Sequence, residues 1–188
     1  MALKDEIWWT KKSKIHHETR LIKYELHSQL LLIWYSLFTL GASILTATPS
    51  TLVKIGLTKE TTIDPNLMIV FSILTLVMSC FVTSLNFKER IIKIKNCYES
   101  LMAMDVTNAH ANENYAHILQ KCENHTERDY LSAKFNEIYS TIKDKRTTDL
   151  NRGLTPYEHF KFFRNLSTYY LKLTILYSLP LLIIFISF

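Results

Sequence analysis

Glycine and proline are scarce in this sequence, with 3 and 4 among 188 residues, and no long run alternates polar with apolar side chains. The first shortage leaves no glycine-rich phosphate loop and no nucleophile elbow. The missing alternation leaves helix as the regular structure, so the expected fold is all-α. Cysteine is as sparse. Cys80, Cys97 and Cys122 show no paired spacing, which indicates neither a disulfide framework nor a zinc site. Charge is absent from three long stretches. No Asp, Glu, Lys or Arg falls between Glu25 and Lys54 or between Asp64 and Lys88, and the tail from Asn165 to Phe188 carries only Lys172.

What fills those gaps is apolar. Hydrophobic residues make up 48% of the chain and are bunched rather than spread. About 20 apolar residues carry a helix across a bilayer, so three spans are expected, over 29–48, 67–86 and 168–188. A cleaved secretory signal is the alternative for the first. That stretch starts late, however, and outruns the ~7–15 apolar residues of such a signal.

The formal net charge of +5 is no nucleic-acid footprint, because basic and acidic residues are mixed in every polar segment. The basic residues speak for orientation instead. Lys11, Lys12, Lys14, Arg20 and Lys23 precede the first span, and Lys88, Arg90, Lys93 and Lys95 follow the second. The intervening "TPSTLVKIGLTKETTIDPN" has only Lys54 and Lys59, offset by Glu60 and Asp64. The positive-inside rule puts that loop outside and both flanks, including the N-terminus, in the cytoplasm. Arg152, Lys161 and Arg164 keep the start of the third span inside.

Four segments follow. Residues 1–27 form a cytoplasmic or interfacial amphipathic helix, on which Leu3, Ile7, Ile15, Ile22 and Leu26 recur near helical spacing. Residues 28–87 form a transmembrane hairpin with a short external loop. Residues 88–164 form a cytoplasmic region with helices near 87–104, 111–122 and 127–146. Residues 165–188 form a third transmembrane helix. In "NHTERDY", Thr126 is the expected N-cap, with Asp129 three residues on. In "RGLTPYEH", Gly153 breaks the chain, Thr155 caps and Pro156 takes the first helical position. Pro180 would kink the last helix. Trp8 and Trp9 suit a membrane interface, where an indole buries its body and keeps its N–H wet, and equally suit packing on the middle region. Tyr169, Tyr170 and Lys172 stand where a headgroup anchor belongs.

The stretch "VFSILTLVMSCFVTSLNF", residues 70–87, is uncharged yet polar at intervals. At 100° per residue, Ser72, Thr75, Ser79, Thr83 and Asn86 fall within roughly an 80° arc. Ser36, Thr39, Ser43 and Thr46 share one face of the first span in the same way. The third span has no such face. One reading is a packing seam, since small hydroxyl residues let helices approach closely and can bond back to their own helix at i−4. The other is an aqueous path lined by several subunits. The residues alone favour the seam.

No catalytic constellation is present, and the expectation is a protein that is not an enzyme and takes no cofactor. His117, Cys122 and His125 lie close in sequence but lack a known metal spacing. The carboxylates and histidine of "ENHTERDY" are what a surface helix supplies by chance.

"IWWTKKSKIHHETRLIKYELHSQLLLIWYS" sets a Trp, basic residues, Glu18 and Arg20 ahead of a polar-then-apolar span. A second span runs into "NFKERIIKIKNCYESL", with "YAHILQKCENHTERDY" later. Over residues 5 to 145 this resembles the SLATT family, bacterial two-transmembrane proteins encoded beside nucleotide second-messenger synthases, nucleotide-sensing domains or reverse transcriptases in conflict systems. The C-terminal span departs from that two-span description. The resemblance implies a pore-forming or membrane-disrupting antiviral effector of the bacterial inner membrane. It also implies a homo-oligomer in the lipid bilayer and a sensor or reverse-transcriptase partner encoded nearby, and it tips the stripe toward a path. The second reading is a membrane anchor that presents a helical platform to a partner protein.

Overall fold

A computed structural model describes residues 3–47, 65–140 and 153–187. Every regular element among them is an α-helix, as the composition leads one to expect: α1 Leu3–Ala47, α2 Pro65–Ser84, α3 Phe87–Ala103, α4 Ala111–Gln120, α5 Glu127–Ser140 and α6 Pro156–Ser187. The expected external loop, and the end of the helix expected to reach residue 146, lie outside the described residues.

The boundaries follow local chemistry. Thr155 and Glu158 open α6 with a reciprocal cap. The Glu158 N–H donates to Thr155 Oγ1 at 3.2 Å, and the Thr155 N–H donates to Glu158 Oε2 at 2.8 Å. Ahead of it Gly153 has φ 65°, where a side chain would be strained. Asn86 has φ 45°, the one positive value at a non-glycine among the described residues. Asn tolerates this left-handed conformation better than most residues. It stands past the end of α2, so the hydroxyl stripe ends before Asn86 as a helical feature.

The chain divides into two compact units, Met1–Glu25 with Phe87–Tyr169 and Leu26–Asn86 with Tyr170–Phe188. In the first unit Ile7, Cys97, Leu101 and Tyr115 form one buried cluster, which joins the start of α1 to α3 and α4. Trp9 and Ile138 form another, with Trp8, Tyr130 and Leu154 packed against them. The tryptophans thus pack on the middle region, one of the two seats open to them from sequence.

The buried face of α1 is not purely apolar: of the positions expected on it Ile7 is buried and Leu3 and Ile15 half-buried, but polar residues join them. Its buried positions include Ser13, Lys14, His17 and Leu21, while Ile22 and Leu26 are 47% and 52% exposed. A polar residue enters a core when partners wait for it there, and hydrophobic periodicity does not register such partners.

In the second unit Leu31, Tyr35 and Phe71 are buried, with Trp34, Phe38, Leu176, Tyr177 and Leu179 against them. The Tyr35 hydroxyl donates to the Leu176 carbonyl at 2.9 Å, and Trp34 Nε1 donates to the Tyr177 carbonyl at 3.1 Å. The first of these repairs a defect. Pro180, fully buried inside α6, has no N–H to give the carbonyl four residues back, which is that of Leu176.

Candidate functional site: a hydroxyl-bearing membrane unit and a buried ion cluster

The second unit presents large apolar side chains outward on all three of its helices: Leu37, Leu40 and Ile44, then Ile73, Leu76 and Phe81, then Leu171, Ile175 and Leu182. Large apolar side chains exposed on every helix of a unit fit a surface set against lipid or protein. Among the described residues one helical stretch, Met68–Ala103, is long and apolar enough to cross a bilayer. Of the stripe residues, Ser36, Ser43, Ser72, Thr83 and Asn86 are exposed and Thr39, Thr75 and Ser79 half-buried. The Thr46 side chain lies outside the described residues.

Most of these hydroxyls bond within their own helix. Thr39 donates to the Tyr35 carbonyl at 2.8 Å, Ser43 to Thr39 at 2.8 Å, Ser72 to Met68 at 3.0 Å, Thr75 to Phe71 at 2.9 Å and Thr83 to Ser79 at 2.8 Å. A hydroxyl satisfied this way needs neither a neighbouring helix nor water, so it can cross a bilayer without penalty and still turn to solvent. Near the middle of α6, Tyr169 lies 5.5 Å from the Arg128 guanidinium and 5.7 Å from the Tyr24 ring, while Tyr170 and Lys172 are exposed.

The first unit holds a cluster that the sequence did not reveal. Lys14 and Asp129 are each only 1% exposed. Arg20 meets the Asp129 carboxylate through Nε, 2.8 Å from Oδ1, and through Nη2, 2.9 Å from Oδ2. Asp129 Oδ2 also accepts from the Thr126 N–H at 2.9 Å and from its hydroxyl at 2.8 Å, so one carboxylate caps α5 and neutralises Arg20. Glu123 accepts from both Nε and Nη2 of Arg90, and its main-chain carbonyl accepts from Lys14 Nζ. His17 lies between the two carboxylates, 3.8 Å from Glu123 and 4.0 Å from Asp129, too far to bond either. Neither its ring nitrogens nor the Ser13 hydroxyl finds a hydrogen-bond partner.

Burial governs how these groups titrate. It pushes the His16, His17 and His125 imidazoles below their ordinary range, and Asp129 offsets this only in part. Around His17, Arg20 and Lys14 push the same way as burial, and Glu123 joins Asp129 against it. Burial likewise lowers Lys14, while the bond from Arg90 holds Glu123 below the usual carboxylate range. The unfolded chain protonates its histidines as pH falls through about 6.5, whereas the folded chain resists. The stability contributed by these neutral imidazoles is therefore fully present above that pH. It is lost progressively as pH falls from there toward their lower folded values. Detergent-solubilised protein should show a melting temperature that is level above pH 7 and declines from about pH 6.5 downward. A level profile from pH 7 to pH 5 would mean that the three imidazoles titrate alike in both states.

Cys97 and Cys122 overturn the expectation drawn from cysteine spacing, because the structure joins them in a disulfide across 25 residues. The pairing arises from the packing of α3 beside the end of α4, which linear spacing does not encode. No group of three or more His, Cys, Asp or Glu side chains among the described residues is placed to hold a metal. His117, Cys122 and His125 are therefore not brought together as ligands.

Neither a curated protein nor a solved structure matches the chain. A family model does, over residues 1–187, a reach that takes in α6 and exceeds the 5–145 of the sequence resemblance. The helical architecture, the apolar stretch and this whole-length match together place the chain in the SMODS and SLOG-associating 2TM effector domain family, as a member of family 5.

Proposed function

We propose that this protein is a non-enzymatic effector of a bacterial conflict system that assembles in the inner membrane and, when activated, opens an aqueous path through it. The observation that carries this reading is the second unit's surface, apolar on every helix yet striped with hydroxyls bonded within their own helices. Such a surface inserts without cost and offers water a polar face once copies come together. The proposed topology is multi-pass with a cytoplasmic N-terminus, from the basic flanks at Lys11–Lys23 and Lys88–Lys95. The third span is supported by the bonds that set Leu176 and Tyr177 beside Trp34 and Tyr35, since one environment surrounds them all.

Two helices cannot enclose an ionic path and three barely could, so the proposed activity calls for several copies in closed symmetry. A sensor or reverse transcriptase encoded nearby is the proposed source of the activating signal, and the lipid bilayer is the working partner. The alternative, an anchor that presents the first unit to a partner protein, draws on that unit's own buried clusters. Voltage-sensitive dye separates the two readings. Cells expressing the chain with its neighbouring operon should depolarise on activation, whereas an anchor leaves the potential unchanged.

A further inference from the structure

The Cys97–Cys122 disulfide lies wholly in the first unit, with Cα atoms 5.8 Å apart. Lys88, Arg90, Lys93 and Lys95 put that unit in the cytoplasm under the topology proposed above, and the inference rests on that reading. The bacterial cytosol keeps thiols reduced, and the disulfides that do form there are transient or redox-sensing. We propose that Cys97 and Cys122 form a reversible dithiol–disulfide site whose oxidant is a low-molecular-weight disulfide and whose reductant is a cellular dithiol.

Both states have a place in the fold. Cys97 is 5% exposed among Ile7, Leu101 and Tyr115, where a neutral thiol packs as a small apolar group. Cys122 is half-buried, and its Sγ lies 3.1 Å from the Ile118 carbonyl. A thiol freed there by reduction has an acceptor waiting.

The difference in exposure sets the order of events. The Cys122 thiolate attacks one sulfur of the small disulfide, forms a mixed disulfide and expels one small thiolate. The Cys97 thiolate then attacks the Cys122 sulfur and expels the second. Two electrons pass from the protein to the small disulfide, and the two protein protons end on the two departing thiols. A cellular dithiol reverses both steps.

Closure has a defined mechanical effect. Glu123 follows Cys122 directly, takes Arg90 on its carboxylate and takes Lys14 on its carbonyl. Arg90 and Cys97 both belong to α3, so the sulfur bridge and the ion pair fasten one two-residue turn to one helix. Reduction leaves that turn held to α3 by the ion pair. The helix so loaded is the one that follows the apolar α2 in the chain.

Membrane vesicles provide the test, with full-length protein carrying Cys80→Ser to remove the exposed free cysteine. Free thiols are blocked with N-ethylmaleimide, disulfides are then reduced, and the freed thiols are tagged with a polyethylene-glycol maleimide. Freshly quenched cells should show no tag. Inside-out vesicles given glutathione disulfide should gain two tags, and right-side-out vesicles none. With Cys97→Ser, a glutathione adduct should accumulate at Cys122. With Cys122→Ser, the buried Cys97 should take none. No tag in either kind of vesicle overturns the redox site. Two tags in unstressed cells overturn it as well, and impermeant maleimide on Asp105→Cys then separates the causes. Labelling of that variant from outside overturns the topology too, whereas its protection leaves the topology standing.

Discussion

Asp129→Ala should strongly destabilise the first unit. The substitution removes the carboxylate that neutralises Arg20, lies near the buried His17 and Lys14, and accepts two bonds from Thr126 at the start of α5. Breaking a fully buried ion pair from one side costs about 3–5 kcal/mol, and the Arg20 side chain, 20% exposed, places this pair toward the lower end. Losing a cap adds about 1 kcal/mol. Whole domains are stable by only about 5–15 kcal/mol, so the sum is a large share of what holds this unit folded. Asp129→Asn keeps an acceptor for Thr126 and loses the charge, and it should fall between the wild type and alanine. Limited proteolysis of membranes reads the result as rapid cleavage between residues 87 and 140 in the alanine variant. Protection equal to the wild type would mean that the ion cluster is incidental to stability.

The second large effect concerns the stripe. The triple replacement Thr75→Leu, Ser79→Leu and Thr83→Leu should abolish depolarisation while leaving the amount of protein in the membrane unchanged. Thr75 and Thr83 bond to carbonyls of α2 itself, so the change breaks no bond between helices within the chain. Hydroxyl bonds between membrane helices average only about 0.6 kcal/mol, so any loss of contacts between subunits should be modest. A path relined with leucine dewets, and conductance should drop at least tenfold, ~1.4 kcal/mol of added barrier or more. The control is the exposed apolar face, with Ile73→Leu and Val77→Leu, together with Met78→Leu. These changes should be silent. Full activity of the stripe variant would remove the hydroxyls from the path, and failure to assemble would make them a packing seam.

Several features of this fold are legible because they are written in neighbouring residues. The charge-free stretch over 67–86 becomes α2 at Pro65–Ser84, and Thr155–Pro156 starts α6 where a cap and a proline belong. Thr126 and Asp129 meet as their spacing suggests. What stayed hidden depends on residues far apart in the chain, more than a hundred positions for the ion cluster and 25 for the disulfide. Lys14 and His17 read as the wet side of an amphipathic helix until Glu123 and Asp129 arrive to receive them. Cys97 and Cys122 read as unrelated until α3 and α4 lie side by side. Hydrophobic periodicity ranks each residue by its own solubility, whereas burial of a charge is decided by its partner.

The bond from Tyr35 to Leu176 fixes more than a contact. Within the interior of α6, Pro180 leaves the Leu176 carbonyl without its helical donor, and the phenol supplies one in the present register. Sliding α6 by one residue, about 1.5 Å, would take the Leu176 carbonyl away from Tyr35. It would also strand the Leu176 carbonyl in an apolar medium, where an unpaired group costs several kcal/mol. Trp34, bonded to the next carbonyl along, would lose its place in the same step. Longitudinal slip between α1 and α6 therefore carries the cost of that unpaired carbonyl. Under the proposed function, a movement that keeps this pairing carries α1 and α6 together.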